Sequence, residues 1–109
     1  MRSREPSRER CTAVNVRHIL CSNFSKAKEA LAKIREDGQR FDEVAAKYSE
    51  DRAKVGGSMG WMSKGSFQEQ SALEKAAFEL EPSTLDDPIV SNLIITNYGY
   101  HIILVEGRR

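Results

Sequence analysis

From Val14 onward, apolar and polar positions alternate. Val14, Val16, His18 and Leu20 fall on one side of an extended chain, and Asn15, Arg17 and Ile19 make a mostly polar opposite side. A period of two is that of a half-buried strand, and it points His18 with the apolar set. The period then changes. Ala27, Ala30, Leu31 and Ile34 make one stripe of a helix that Ser25 can cap and Gly38 ends, which predicts a helix to about Asp37. Phe41, Val44, Ala45 and Tyr48 repeat the helical spacing over a second segment. Residues 49–66 carry glycines at 56, 57, 60 and 65 and read as a loop enclosing a short strand around Met59 to Met62. Ser71 and Glu74 have the spacing of a capping box ahead of Leu73, Ala76, Ala77 and Leu80, and Pro82 stops that helix. Residues 88–96 are β-rich and predict one or two strands broken by Ser91 and Asn92. From Tyr100 to Glu106 both faces are apolar, His101, Ile103 and Val105 opposing Tyr100, Ile102 and Leu104, as in a strand from the middle of a sheet.

The resulting order, β-α-α-β-α-β-β, does not alternate regularly and predicts an α+β fold with a mainly antiparallel sheet. If the first and last strands are neighbours, His18 and His101 meet on one face. Residues 1–13 stand apart. The first ten hold four arginines and two glutamates with nothing to anchor a core, so a disordered basic tail or linker is expected ahead of a single domain at 14–109. A chain of 109 residues supports one core and no second domain.

Composition works mainly by exclusion. With 17 basic and 16 acidic residues the net charge is +1, so the molecule as a whole has no field to gather nucleic acid or an anionic membrane. Only the tail, with Arg2, Arg4, Arg8 and Arg10 diluted by Glu5 and Glu9, offers nucleic acid a weak contact. No run approaches the roughly 18 apolar residues of a membrane span, and the first residues lack the apolar core of a secretion signal. No membrane partner is expected, and the chain is expected in the cytosol or nucleus. Two cysteines, Cys11 and Cys21, are too few for a disulfide framework or a four-ligand zinc site and fit a reducing compartment. Two histidines among scattered thiols and carboxylates have no familiar ligand spacing, so no metal or other cofactor is expected. Cys21 falls on the strand face opposite His18, where that imidazole could not easily activate it as a nucleophile. The glycines at 56, 57 and 60 match neither a phosphate loop nor a dinucleotide fingerprint.

The histidines carry the remaining interest. Two buried imidazoles facing each other cannot both be charged cheaply, so at least one should be neutral and the pair should share a hydrogen bond.

Four strings give this a context: Val16-Arg17-His18-Ile19-Leu20; Phe41-Asp42-Glu43-Val44-Ala45 followed by Tyr48-Ser49-Glu50-Asp51; Gly56-Gly57-Ser58-Met59-Gly60-Trp61; and Tyr98-Gly99-Tyr100-His101-Ile102-Ile103. In this order, over residues 14–108, they resemble the parvulin class of peptidyl-prolyl cis/trans isomerases, and most of all the small parvulins that do not require a phosphorylated substrate. The resemblance implies a four-stranded antiparallel sheet ringed by helices, proline-containing polypeptides as substrates and no cofactor; nothing in the sequence suggests more than a monomer. It implies His18 and His101 as the paired histidines, Thr96 in their hydrogen-bond network and Asp51 at the catalytic-loop position. Met59, Phe67 and Leu73 would form the proline slot, with Gln68 and Tyr98 beside the substrate. Plain core packing is the competing reading for Met59 and Leu73. Two departures stand out. The stretch from Gly65 to Phe78 is about two residues longer than usual with Leu73 where an aromatic is common, and Cys21 to Ser25 lacks the basic loop of phosphate-requiring parvulins. Isomerisation of X-Pro bonds in unphosphorylated chains is therefore expected. The alternative is a proline-peptide binding or chaperone module with little turnover.

Overall fold

The fold was obtained as a computed structural model that describes residues 11–51, 55–67 and 70–109. Its centre is a pair of antiparallel strands, β1 (Ala13–Cys21) and β4 (Gly99–Arg108), matched from Val14 opposite Arg108 to Cys21 opposite Tyr100. Strand β2 (Ser58–Ser63) extends the sheet beyond β1 and β3 (Ile94–Thr96) beyond β4, giving one four-stranded antiparallel sheet in the order β2-β1-β4-β3. Helices α1 (Phe24–Arg35) and α2 (Phe41–Tyr48) bury Ala30, Ile34, Phe41 and Val44 against Ile19, Cys21, Ile102 and Leu104 on one sheet face. On the other, α3 (Ser71–Glu79) buries Leu73, Ala77 and Phe78 with Phe67 against Val14, Val16, Ile103 and Val105. The expected α+β architecture and element order are thus found.

Several local expectations need correction. Ile19 does not lie on a polar face: it is fully buried beneath the two helices, so β1 is covered on both sides like β4. The polar residue that suggested otherwise, Arg17, is half-buried and paired with Glu106 of β4 at 2.7 Å. Asn23, not Ser25, caps α1. Its side-chain oxygen accepts the Lys26 N–H at 3.1 Å, and Ser25 is already inside the helix. Asn23→Ala should therefore cost about 1 kcal/mol of stability in a denaturant titration, while Ser25→Ala should be near neutral.

The capping box at Ser71 and Glu74 does not form. Ser71 is the first residue of α3, Gln70 precedes it without a side-chain cap bond, and Glu74 instead accepts the Gly65 N–H at 2.8 Å, tying the preceding turn to the helix. Val90 makes a single bridge to Leu104 ahead of β3, consistent with a broken strand. The tail expected at 1–13 is too long by three residues at least. Cys11 is buried, and the N–H groups of Thr12 and Ala13 both donate to the Arg109 carbonyl, at 2.7 and 2.8 Å, while the Arg109 N–H returns to the Ala13 carbonyl at 2.9 Å. The first ten positions lie outside the described residues.

Candidate active site

The register of β1 on β4 sets the site. His18 stands opposite Ile103 and Leu20 opposite His101, so the two histidines are diagonal neighbours on the face that also carries Ile103 and Val105. Both are buried, at 5% and 2% exposure. Their rings stack with centroids 5.7 Å apart and planes inclined by 26°. The expected hydrogen bond between them is not made. Stacked rings do not aim their in-plane nitrogens at each other, so each Nε2 turns to a different partner, and both Nδ1 atoms are buried with no partner among the described residues. His18 Nε2 lies 2.9 Å from Asp51 Oδ2, and His101 Nε2 lies 2.7 Å from Thr96 Oγ1. Thr96 Oγ1 also accepts the Tyr98 N–H at 3.1 Å, which leaves its own proton available for His101.

Burial, with help from the neighbouring His18, pushes the His101 pKa down to about 4, against an opposing pull from Asp51. His101 is therefore neutral at physiological pH, as expected of at least one member of the pair.

Asp51 follows α2, and the end of β1 fixes the chain there. Ser49 Oγ accepts the N–H groups of Leu20 and Asp51, and the Glu50 N–H donates to the Leu20 carbonyl at 2.7 Å. The Glu50 carboxylate accepts both the N–H and the hydroxyl of Ser22, bonds that hold its pKa below the usual carboxylate range. Sequence reasoning did not single out Ser49 and Glu50, although they stand inside the Tyr48 to Asp51 string.

Of the residues expected at a proline slot, the structure brings some together and buries others. Met59, Phe67 and Leu73 do share one apolar cluster, but Phe67 and Leu73 are 3% and 1% exposed and act as packed core, leaving half-buried Met59 to present surface. The shorter Leu73 side chain stays beneath α3. Gln68 lies outside the described residues. Tyr98 is 65% exposed and borders an open cavity of about 250 Å³, between the start of α3 (Gln70, Ser71, Ala72) and the end of β3 with its turn into β4 (Ile95, Thr96, Asn97, Tyr98). Through Thr96 this cavity adjoins His101. Its other residues carry no sequence signal, because they meet only where α3 begins beside the sheet edge.

Residues 22–107 match the family described as "Rotamase: PPIC-type PPIASE domain". The chain is 57% identical over 97 residues to the peptidyl-prolyl cis-trans isomerase pin4 of Emericella nidulans, an alignment covering 89% of this chain and 73% of that one. Among solved structures it is similar to NmPin, the parvulin of Nitrosopumilus maritimus, with a TM-score of 0.70 and 33% identity over 88% of this chain and 97% of that one. It is also similar to the peptidylprolyl isomerase PrsA of Bacillus anthracis, with a TM-score of 0.77 and 29% identity over 91% and 43% of the two chains. The chain belongs to the PPIC-type rotamase family, the parvulin class of peptidyl-prolyl cis/trans isomerases.

Proposed function

We propose that this isomerase acts on X-Pro bonds in unphosphorylated polypeptides, with His18, Asp51, Thr96 and His101 as its catalytic residues. The observation that supports this reading best is the run of contacts from Asp51 through the stacked imidazoles to Thr96, beside a cavity whose lining among the described residues includes no basic side chain. A phosphate would need Arg or Lys at the mouth of the site. The segment Cys21 to Ser25 has neither.

Rotation about the X-Pro bond crosses a barrier of about 20 kcal/mol because the planar amide is stabilised by resonance. No covalent bond has to form; the site must bind the twisted amide better than the planar one. Amide resonance places partial negative charge on the carbonyl oxygen. A carboxylate held near that oxygen disfavours the charge-separated form and so lowers the barrier. Asp51 suits this role, since its side chain is partly exposed while the bonds at Ser49 and Glu50 fix its backbone. His101, kept neutral, adds no opposing charge. Met59 and Tyr98 would contact the chain on either side of the proline, over the floor made by Phe67 and Leu73. The cytosol or nucleus is the compartment we favour, on the strength of two buried free thiols, Cys11 and Cys21.

Exchange NMR on Ala-Pro, Arg-Pro, Glu-Pro and phosphoserine-Pro peptides tests this directly. Faster cis/trans exchange is expected in the unphosphorylated set, with no advantage for the phosphopeptide, and Asp51→Ala should lower kcat/KM about tenfold, equivalent to about 1.4 kcal/mol. Full activity in Asp51→Ala would remove the electrostatic role. Binding of the peptides without faster exchange would make the domain a recognition module.

A further inference from the structure

Asp51 sits near one end of the segment joining α2 to β2, and that end is tied to β1 through Leu20 and Ser22. The other end is also tied to β1, by a different residue. Arg17, the neighbour of His18 on the opposite sheet face, donates from Nη1 to the Gly56 carbonyl at 3.0 Å and from Nε to Glu106 of β4 at 2.7 Å. The guanidinium is mostly covered and fixed at two points, so it acts as a rigid strut. Gly56 and Gly57 have φ of +61° and +81°. A Cβ on Gly56 would lie 2.6 Å from Arg17 Nη1, and one on Gly57 would lie 2.3 Å from the His18 carbonyl oxygen. The glycines thus permit the close approach of the segment to Arg17 and to the backbone of His18.

We propose that Arg17 is a positioning residue for Asp51: by tying Gly56 to β1 and β4 it fixes the far end of the segment whose near end presents Asp51 to His18. The proposal rests on the catalytic reading of Asp51 given above. Arg17 lies on the sheet face opposite His18, and it does not line the cavity beside Thr96. Its effect on turnover passes through the 2.9 Å contact between Asp51 and His18.

The experiment compares the wild-type chain, Arg17→Gln, Asp51→Ala and the double variant. Two quantities are read: kcat/KM on an Ala-Pro peptide and the ring-nitrogen NMR shifts of His18. Arg17→Gln is expected to lower kcat/KM about tenfold, since small misplacements of an active-site group are costly. It should move the His18 Nε2 signal in the same direction as Asp51→Ala does, and cause no further loss in the Asp51→Ala background. An unchanged His18 signal in folded Arg17→Gln protein overturns the proposal whatever the activity, and so do equal losses in both backgrounds. Should Asp51→Ala prove fully active, the electrostatic role of Asp51 falls, and the His18 signal alone decides whether Arg17 seats that residue. If circular dichroism shows Arg17→Gln to be unfolded, Gly56→Ala presses a methyl against the guanidinium from the other side. The same displacement of the His18 signal is then expected, and an unmoved signal overturns the proposal.

Discussion

Phe41→Ala should lower the free energy of unfolding by about 3–5 kcal/mol, the range found when a buried aromatic is cut back to a methyl. Phe41 is fully buried where α2 begins, in the cluster that joins both helices to Ile19, Ile102 and Leu104. Its backbone is also committed, the N–H donating to the Leu85 carbonyl at 3.0 Å, so the helix start is not free to slide into the vacated space. A domain of this size has about 5–15 kcal/mol in all, and the variant would stand near the edge of folding. In a urea titration the midpoint should fall while the m-value holds. Isomerase activity should follow the folded fraction, because α2 leads directly into Ser49, Glu50 and Asp51. A loss below about 1.5 kcal/mol would mean that the two helices close over the gap.

Acid should weaken the fold well before the carboxylates titrate. The His101 pKa is about 4 in the folded chain, against about 6.5 for a free imidazole. Between those values the unfolded state binds the proton and the folded state does not, so stability falls as the pH drops from 6.5 toward 4 and levels off below. A shift of this size corresponds to about 3 kcal/mol, with a limiting slope of about 1.4 kcal/mol per pH unit. Asp42 and Glu50, whose pKa values are lowered in the folded chain, add their own losses only toward the bottom of that window. The decisive measurement is therefore the slope between pH 6.5 and 5 in wild type and in His101→Phe. The substitution should flatten the curve whatever it does to stability at pH 7. Equal slopes in the two proteins would show that His101 accepts its proton without cost.

The central pair of strands was legible in the sequence, because alternation at Val14, Val16 and His18 and the doubly apolar run from Tyr100 leave few other ways to bury them. That legibility placed His18 and His101 on one face, and the family resemblance added Asp51 and Thr96 as expected partners. What escaped was whatever depends on a contest between near-equal local choices. Asn23 and Ser25 can each cap a helix, and the contest is settled by where β1 ends, which the bonds between Ser22 and Glu50 determine. Ser71 loses its capping role because the chain reaches α3 from the turn that ends at Gln70, whose N–H donates to the Phe67 carbonyl. A shared bond between the histidines was a fair inference from their common face. The diagonal register produces a stack instead, and register is a property of two distant segments. The cavity beside Thr96 depends on three elements meeting, and no single stretch of sequence encodes it.

The pairing of Thr12 and Ala13 with Arg109 has a consequence for engineering. The polypeptide enters and leaves the folded unit side by side, a peptide's width apart, at the end of the central strand pair remote from Tyr100. A unit with adjoining ends can be spliced into a surface loop of a host protein without prising the host open, and its own ends can be joined by a short linker and reopened elsewhere. The turn between β3 and β4 should be the wrong place for such a new opening, since a break there would free Thr96 from His101, whereas the exposed turn around Lys64 and Gly65 leaves the histidine stack untouched.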